Sequence, residues 1–271
     1  MRLQIVVVLI NPATARTGLD AALVAMAVAP DSRIEAFHAR VTPESLIMPS
    51  EEVMTPTRRR ELDAMSSARS LALQHAVSNW AAAVPAGQTI VQWHETEGES
   101  VDAVVASRAR TADLIVLVRP AELEGSAALH AAIFESGRLL LLVPPVDDNP
   151  AAFGRHMAIA WKVSEPATRA VTAAIPWLRR AERVSVLTVG EHPAFDDIQN
   201  LLGGYGITAQ PLAIERGDLN VGERLLCETQ AIGADCLVMG AYHHHPVGEI
   251  LFGGVTRHIL RRASLPVFMK H

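Results

Sequence analysis

The chain has 271 residues, 49% of them hydrophobic and 20% charged, which excludes a disordered chain and leaves room for one large domain or two of ordinary size. Aromatic residues make up only 4%, so aliphatic side chains and alanine must fill the core. With 24 Lys+Arg against 29 Asp+Glu, the net charge of -5 lacks the basic surplus of a dedicated nucleic-acid binder.

The apolar run Ile5–Ile10 near the N-terminus is too short for the core of a signal peptide, and Asn11-Pro12 follows where a small-residue cleavage site would be needed. No stretch approaches the ~18 uncharged apolar residues of a membrane span. These features predict a soluble, cytoplasmic protein. The same run, rich in β-branched residues, reads as a buried strand closed by Asn11-Pro12-Ala13-Thr14. An alanine-rich segment continues to Ala29, and alternation over Arg33–Ala39 predicts a second strand. An extra segment spans Pro43 to Ala83. Its stretch Pro49–Pro56 reads as an exposed loop and Arg58-Arg59-Arg60 as a solvated helix start. Leu62, Met65, Leu73, Ala76, Val77 and Trp80 follow at near-helical spacing, a stripe expected to pack into the core. Val101, Val104, Val105 and Arg108 mark a helix before the strand Ala112–Val118. Ala127–Phe134 reads as a helix stopped at Gly137, and Leu139–Val143 as a closing strand.

The second half repeats this order. Met157–Trp161 is a strand, Glu165-Pro166-Ala167-Thr168 repeats the Pro-Ala-Thr, and a helix runs towards Arg180 before the strand Val184–Val189. Ser164 stands where it would cap that helix. Val221, Leu225, Leu226 and Ile232 give a helical pattern before Ala234–Gly240, whose Ala-Asp opening matches Ala112-Asp113. Val255, Ile259 and Leu260 mark a last helix, and Leu265–Met269 the last strand. Pro144–Pro150 is a linker by composition. The shared order points to an internal duplication, with a first domain at 1–146, a linker at 147–153 and a second domain at 154–271. Strands alternating with helices predict an α/β fold: two Rossmann-like domains, each a parallel sheet of about five strands covered by helices on both faces.

Ligands in such sheets bind beyond the carboxyl ends of the strands, where strand order reverses. The segments after Ile10, Val118, Trp161 and Met239 are therefore the candidates. Gly240-Ala241-Tyr242-His243 leads to Phe252-Gly253-Gly254-Val255-Thr256, a glycine pair opening a helix, where backbone N–H groups and the helix dipole suit a phosphate.

Two α/β halves with Gly240-x2-His243-x9-Gly253-Gly254 before the final helix and strand resemble a tandem universal stress protein. In that family the segment after the fourth strand is Gly-x2-Gly-x9-Gly-(Ser/Thr) and holds the phosphates of ATP. The resemblance implies ATP as ligand, Gly240, Gly253, Gly254, Val255 and Thr256 around the phosphates, and a closing strand that pairs sheets. It implies an intramolecular pseudo-dimer, with a homodimer as the further assembly, and an unidentified protein partner. Nucleic acid and membrane are not implied.

The sequence departs from the pattern at three places. His243 replaces the second glycine and Gly254 the Ser/Thr, while Lys162 stands where ATP-binding members commonly carry an acidic residue near adenine. Lysine cannot accept from an adenine amino group, but it can meet a phosphate as a point charge. In the first half Arg119-Pro120-Ala121-Glu122 follows the strand and the spaced glycines are missing, so binding is expected in the second half alone.

The run His243-His244-His245 reads as a solvated loop rather than a metal site, because consecutive extended side chains alternate in direction. His258 reads as a surface residue. Gly203-Gly204-Tyr205-Gly206 lacks the strand-then-helix setting of a dinucleotide fingerprint, and there is no Walker motif or nucleophile elbow. Cys227 and Cys236, nine positions apart, suit structural thiols in a reducing cytosol. No catalytic residue and no metal ligand is expected. Two functions follow: a stress-response module binding ATP or another phosphate-bearing ligand in its second half, or a nucleotide-independent scaffold in which both pockets have decayed.

Overall fold

The computed structural model describes residues 2–43, 55–84, 91–123, 126–145, 152–190, 195–241 and 254–271. The chain forms two compact units: Met1–Pro120 with Gly125–Arg138 and Pro145–Asn149, and Pro150–His271 with Ala121–Glu124 and Leu139–Pro144.

The first unit contains β1 (Gln4–Val8), α1 (Ala15–Met26), β2 (Arg33–Val41), α2 (Pro56–Ala83), β3 (Val91–Gly98), α3 (Val101–Ala109), β4 (Leu114–Val118) and α4 (Ala127–His130). A π turn, Ala131–Glu135, extends α4, and Gly137 beyond it takes φ 63°, the left-handed stop expected of it. The strands are parallel in the order β3-β2-β1-β4. The chain steps outward from β1 to β3 and then returns to β4. Right-handed crossovers therefore place α1 and α2 on one face and α3 on the other. Side chains of β2 follow the same division: Arg40 meets Ser66 and Ser67 of α2, whereas Glu35 is buried against Arg108 of α3. Val6, Val7, Ile115, Val116 and Leu117 are fully buried between the layers.

The second unit contains β5 (Leu139–Val143), β6 (His156–Ala160), α5 (Glu165–Leu178), β7 (Arg183–Val189), α6 (Phe195–Gly203), β8 (Gln210–Ile214), α7 (Val221–Ala231), β9 (Cys236–Gly240), α8 (Gly254–Arg262) and β10 (Val267–Lys270). Its order is β5-β10-β9-β6-β7-β8, parallel except that β5 runs antiparallel to β10, Val267 facing Leu142. Phe268 is fully buried against Trp177 and Phe153, at ring centroid distances of 5.0 and 6.4 Å. The edge strand β8 carries Pro211, which cannot donate a ladder bond and so blunts the edge.

Both repeats of Ala-Asp do the same job. Asp113 accepts from the Gln4 N–H at 2.8 Å while its own N–H donates to the Gln4 carbonyl. Asp235 accepts from the N–H groups of Gly154, Arg155 and His156 at 2.8, 3.1 and 3.3 Å, and its N–H donates to the His156 carbonyl. Each aspartate thus fixes the start of the first strand of its half. Pro-Ala-Thr, by contrast, folds in two ways. Pro12–Thr14 is a 3-10 turn whose Asn11 accepts from the Ala13 N–H, whereas the second copy lies in the first turn of α5. There Ser164 accepts from the Ala167 N–H at 3.4 Å, the cap expected from sequence.

Two expectations are corrected. Within α2 only Leu73, Val77 and Trp80 of the apolar stripe are buried, and Met65 is 62% exposed. A 28-residue helix spans about 42 Å, more than the roughly 30 Å of the nine-residue strand β2, so its first turns overrun the sheet. Cys236 is fully buried, but Cys227 is exposed and is not a core thiol. Arg58–Arg60 lie, as expected, on the exposed start of α2, capped by Thr55. Of the loop expected at Pro49–Pro56, positions 49–54 lie outside the described residues, and Pro56 opens α2. Among the described residues no helix is long and apolar enough to cross a membrane.

Candidate functional site

In the second unit the reversal of strand order falls between β6 and β9, which pair with Ala160 opposite Met239. From β6 the chain leaves into α5 on one face, and from β9 it leaves towards α8 on the other, opening a crevice at their carboxyl ends. Lys162 lies just past β6 and is exposed, one residue after the buried Trp161, whose N–H donates to the Leu187 carbonyl at 2.9 Å. Ala241, just past β9, is tied by its N–H to the Lys270 carbonyl at 2.8 Å. The adjoining Gly190 after β7 has φ 90° and donates to the Ile214 carbonyl at 3.0 Å.

Gly240 is needed for packing. A Cβ there would stand 2.5 Å from the Ala167 nitrogen, 2.7 Å from the Pro166 carbonyl carbon and 2.9 Å from the Ala167 Cα. The first turn of α5 therefore rests directly on the end of β9, and only glycine admits it. Gly254 opens α8, and among the described residues nothing lies within 4 Å of a Cβ added there. No acidic residue occupies the first turn of α8, so the positive end of its dipole is not neutralised from within. Val255 is half-buried and its carbonyl faces Gly222, while Thr256 is buried, 5% exposed. The structure thus brings Lys162 and Gly240 to the strand ends and places Gly254, Val255 and Thr256 on the opening turn of α8. His243, with the whole run to His245, and Gly253 lie outside the described residues.

The corresponding end of the first unit is built differently. Arg119 follows β4, and burial pushes its guanidinium pKa down. Asn11 is occupied in capping its own turn. His38, not singled out by sequence reasoning, is buried there. Its Nδ1–H donates to the Leu9 carbonyl at 3.0 Å, and its ring stacks on Trp93. Burial holds its pKa below the ordinary value, against the opposing pull of that bond and of Glu95. Arg40 nearby lies 3.6 to 3.9 Å from Glu97, Asp63 and Glu95. This polar layer seats α2 on β2 and β3. It was illegible because its members are scattered over three elements and share no short motif.

Among the described residues no group of three or more His, Cys, Asp and Glu side chains could hold a metal ion. His258 is half-buried, with Nδ1 at 3.4 Å from the Asn220 amide nitrogen.

The whole chain shares its fold with a universal stress protein from Archaeoglobus fulgidus at 11% identity, covering 99% of this chain and 96% of that one with a TM-score of 0.70. A protein of unknown function from Pseudomonas aeruginosa aligns at 14% identity over 98% of this chain and 92% of its own, with a TM-score of 0.59. No curated protein sequence matches the chain. Residues 155–271 match the universal stress protein family, and the second half of the chain is a universal stress protein domain.

Proposed function

We propose that the second unit is a non-enzymatic, cytoplasmic stress-response module that binds a phosphate-bearing ligand, ATP foremost, in the crevice between β6 and β9. The observation that carries this reading is the opening of α8. Its first turn holds no acid, no described residue crowds Gly254, and Lys162 supplies a cation at the neighbouring strand end. Backbone N–H groups with the helix dipole hold the phosphate, and the Lys162 ammonium adds a point charge. Isothermal titration of the whole chain with ATP, ADP and AMP tests it. One site per chain is expected, and Lys162→Glu weakens affinity by about ten- to a hundredfold, the worth of a charged hydrogen bond. Absence of heat, with no competition against a fluorescent ATP analogue, counts against it.

A second reading, a nucleotide-independent scaffold, draws support from Gly240 and Lys162. The packing of α5 accounts for Gly240 without any ligand, and Lys162 cannot accept from an adenine amino group. On that reading the whole panel fails to bind while the fold is intact, and the paired halves serve as a pseudo-dimer or homodimer surface for a protein partner.

A further inference from the structure

A second concavity of the second unit lies away from the crevice, between α7 and α8. The two helices touch at their N-terminal ends because Gly222 has no side chain. A Cβ there would stand 2.9 Å from the His258 Cβ and 3.0 Å from the Val255 carbonyl oxygen. Further down, the small residues Gly233, Ala234 and Ser264 are among those lining a groove of about 790 Å³. That is within the usual range for small-molecule sites, roughly 300–1,000 Å³. Leu226 and Leu265 give it an apolar side, and Gln230 an amide. His258 and Arg262, one turn apart on α8, line one wall. Among the described residues Arg262 has no carboxylate within ion-pair distance. Glu223, the acid of the lining, sits at the pinned end, where its carboxylate accepts from the Asn220 amide at 3.2 Å.

We propose that this groove is a second binding site, for a small organic anion whose carboxylate or phosphate is held by Arg262 and His258 and whose apolar body lies against Leu226 and Leu265. The guanidinium fork suits either anion. This site does not depend on the crevice: both use α8, but no residue of the groove lining belongs to the crevice.

The exposed thiol of Cys227 lines the groove and reports its occupancy, while the fully buried Cys236 serves as the internal control. The experiment follows alkylation of Cys227 by iodoacetamide in the full chain, by mass spectrometry, with benzoate, phenyl phosphate or neutral benzyl alcohol present. At ten times its dissociation constant a protecting anion slows the reaction about tenfold by mass action. Protection is expected from at least one anion and not from the alcohol. Which anion protects separates a carboxylate ligand from a phosphate one. Arg262→Gln removes the protection with the unfolding midpoint unchanged, and Lys162→Glu keeps it, so failure here is distinct from failure of the crevice reading. No protection by either anion, equal protection by the alcohol, or full protection in Arg262→Gln overturns the proposal.

Discussion

Replacing Gly240 by alanine tests whether this glycine serves packing before it serves any ligand. The added methyl would meet three backbone atoms of Pro166 and Ala167 at 2.5 to 2.9 Å, closer than real contacts allow. None is the end of a flexible side chain, so relief requires moving the first turn of α5. That helix buries Ala167, Ala170, Val171, Ala174, Ile175, Trp177 and Leu178, and its start is fixed by the Ser164 cap. Overpacking of this kind costs about 1–3 kcal/mol, and the stiffer unfolded chain returns about 0.4–1 kcal/mol. The net expectation is a loss of about 1–2 kcal/mol, or roughly 3–8 °C in unfolding temperature for a unit of this size. Urea unfolding followed by tryptophan fluorescence reads it, with Trp161 and Trp177 reporting on the second unit. Gly203→Ala is the control, since among the described residues nothing lies within 4 Å of its added Cβ, and it ends helix α6. Gly240→Ala within about 0.5 kcal/mol of the parent, like an ordinary surface change, would refute the packing argument.

The two aspartates and the buried histidine give further tests. Asp235→Ala strands three N–H groups and Asp113→Ala one, so chemical denaturation should show the larger loss for Asp235, about 1–3 kcal/mol; equal losses contradict the assignment. Burial lowers the pKa of His38 from its ordinary 6.5, so as pH falls the unfolded chain takes up the proton first. The stability it contributes is complete above about pH 6.5 and is lost as pH falls below it towards the folded value. His38→Gln should therefore flatten the acid limb of the first unit's stability profile by up to about 1.4 kcal/mol per pH unit, and an unchanged slope across pH 5–7 refutes this.

What the sequence made legible follows physical range. Short-range signals translated directly: the β-branched run at Ile5–Val8, the Ser164 cap and the stop at Gly137 all stand in the structure. The duplicated Ala-Asp marked equivalent strands, but the clamp each aspartate makes on a strand about 80 or 110 positions away is a tertiary fact. Strands β3 and β8 carried weak signals because edge strands mix polar and apolar residues, as in Gln92, His94 and Pro211. In the site, residue spacing pointed to Gly240 and Gly254 together, yet they differ: one is crowded by backbone, whereas no described residue crowds the other. Nor could spacing show that Cys227, His258 and Arg262 line a common groove, since that depends on how Gly222 pins two helices.

On the proposed function, the second unit, and not the first, holds a phosphate-bearing ligand at the ends of β6 and β9. Amide hydrogen exchange of the whole chain with and without ATP tests it most directly. Ligand-dependent protection is expected at 238–241 and 254–260, with 114–123 and 126–135 unchanged. Protection centred on the first unit, or an exchange pattern indifferent to ATP up to millimolar concentrations, would contradict it.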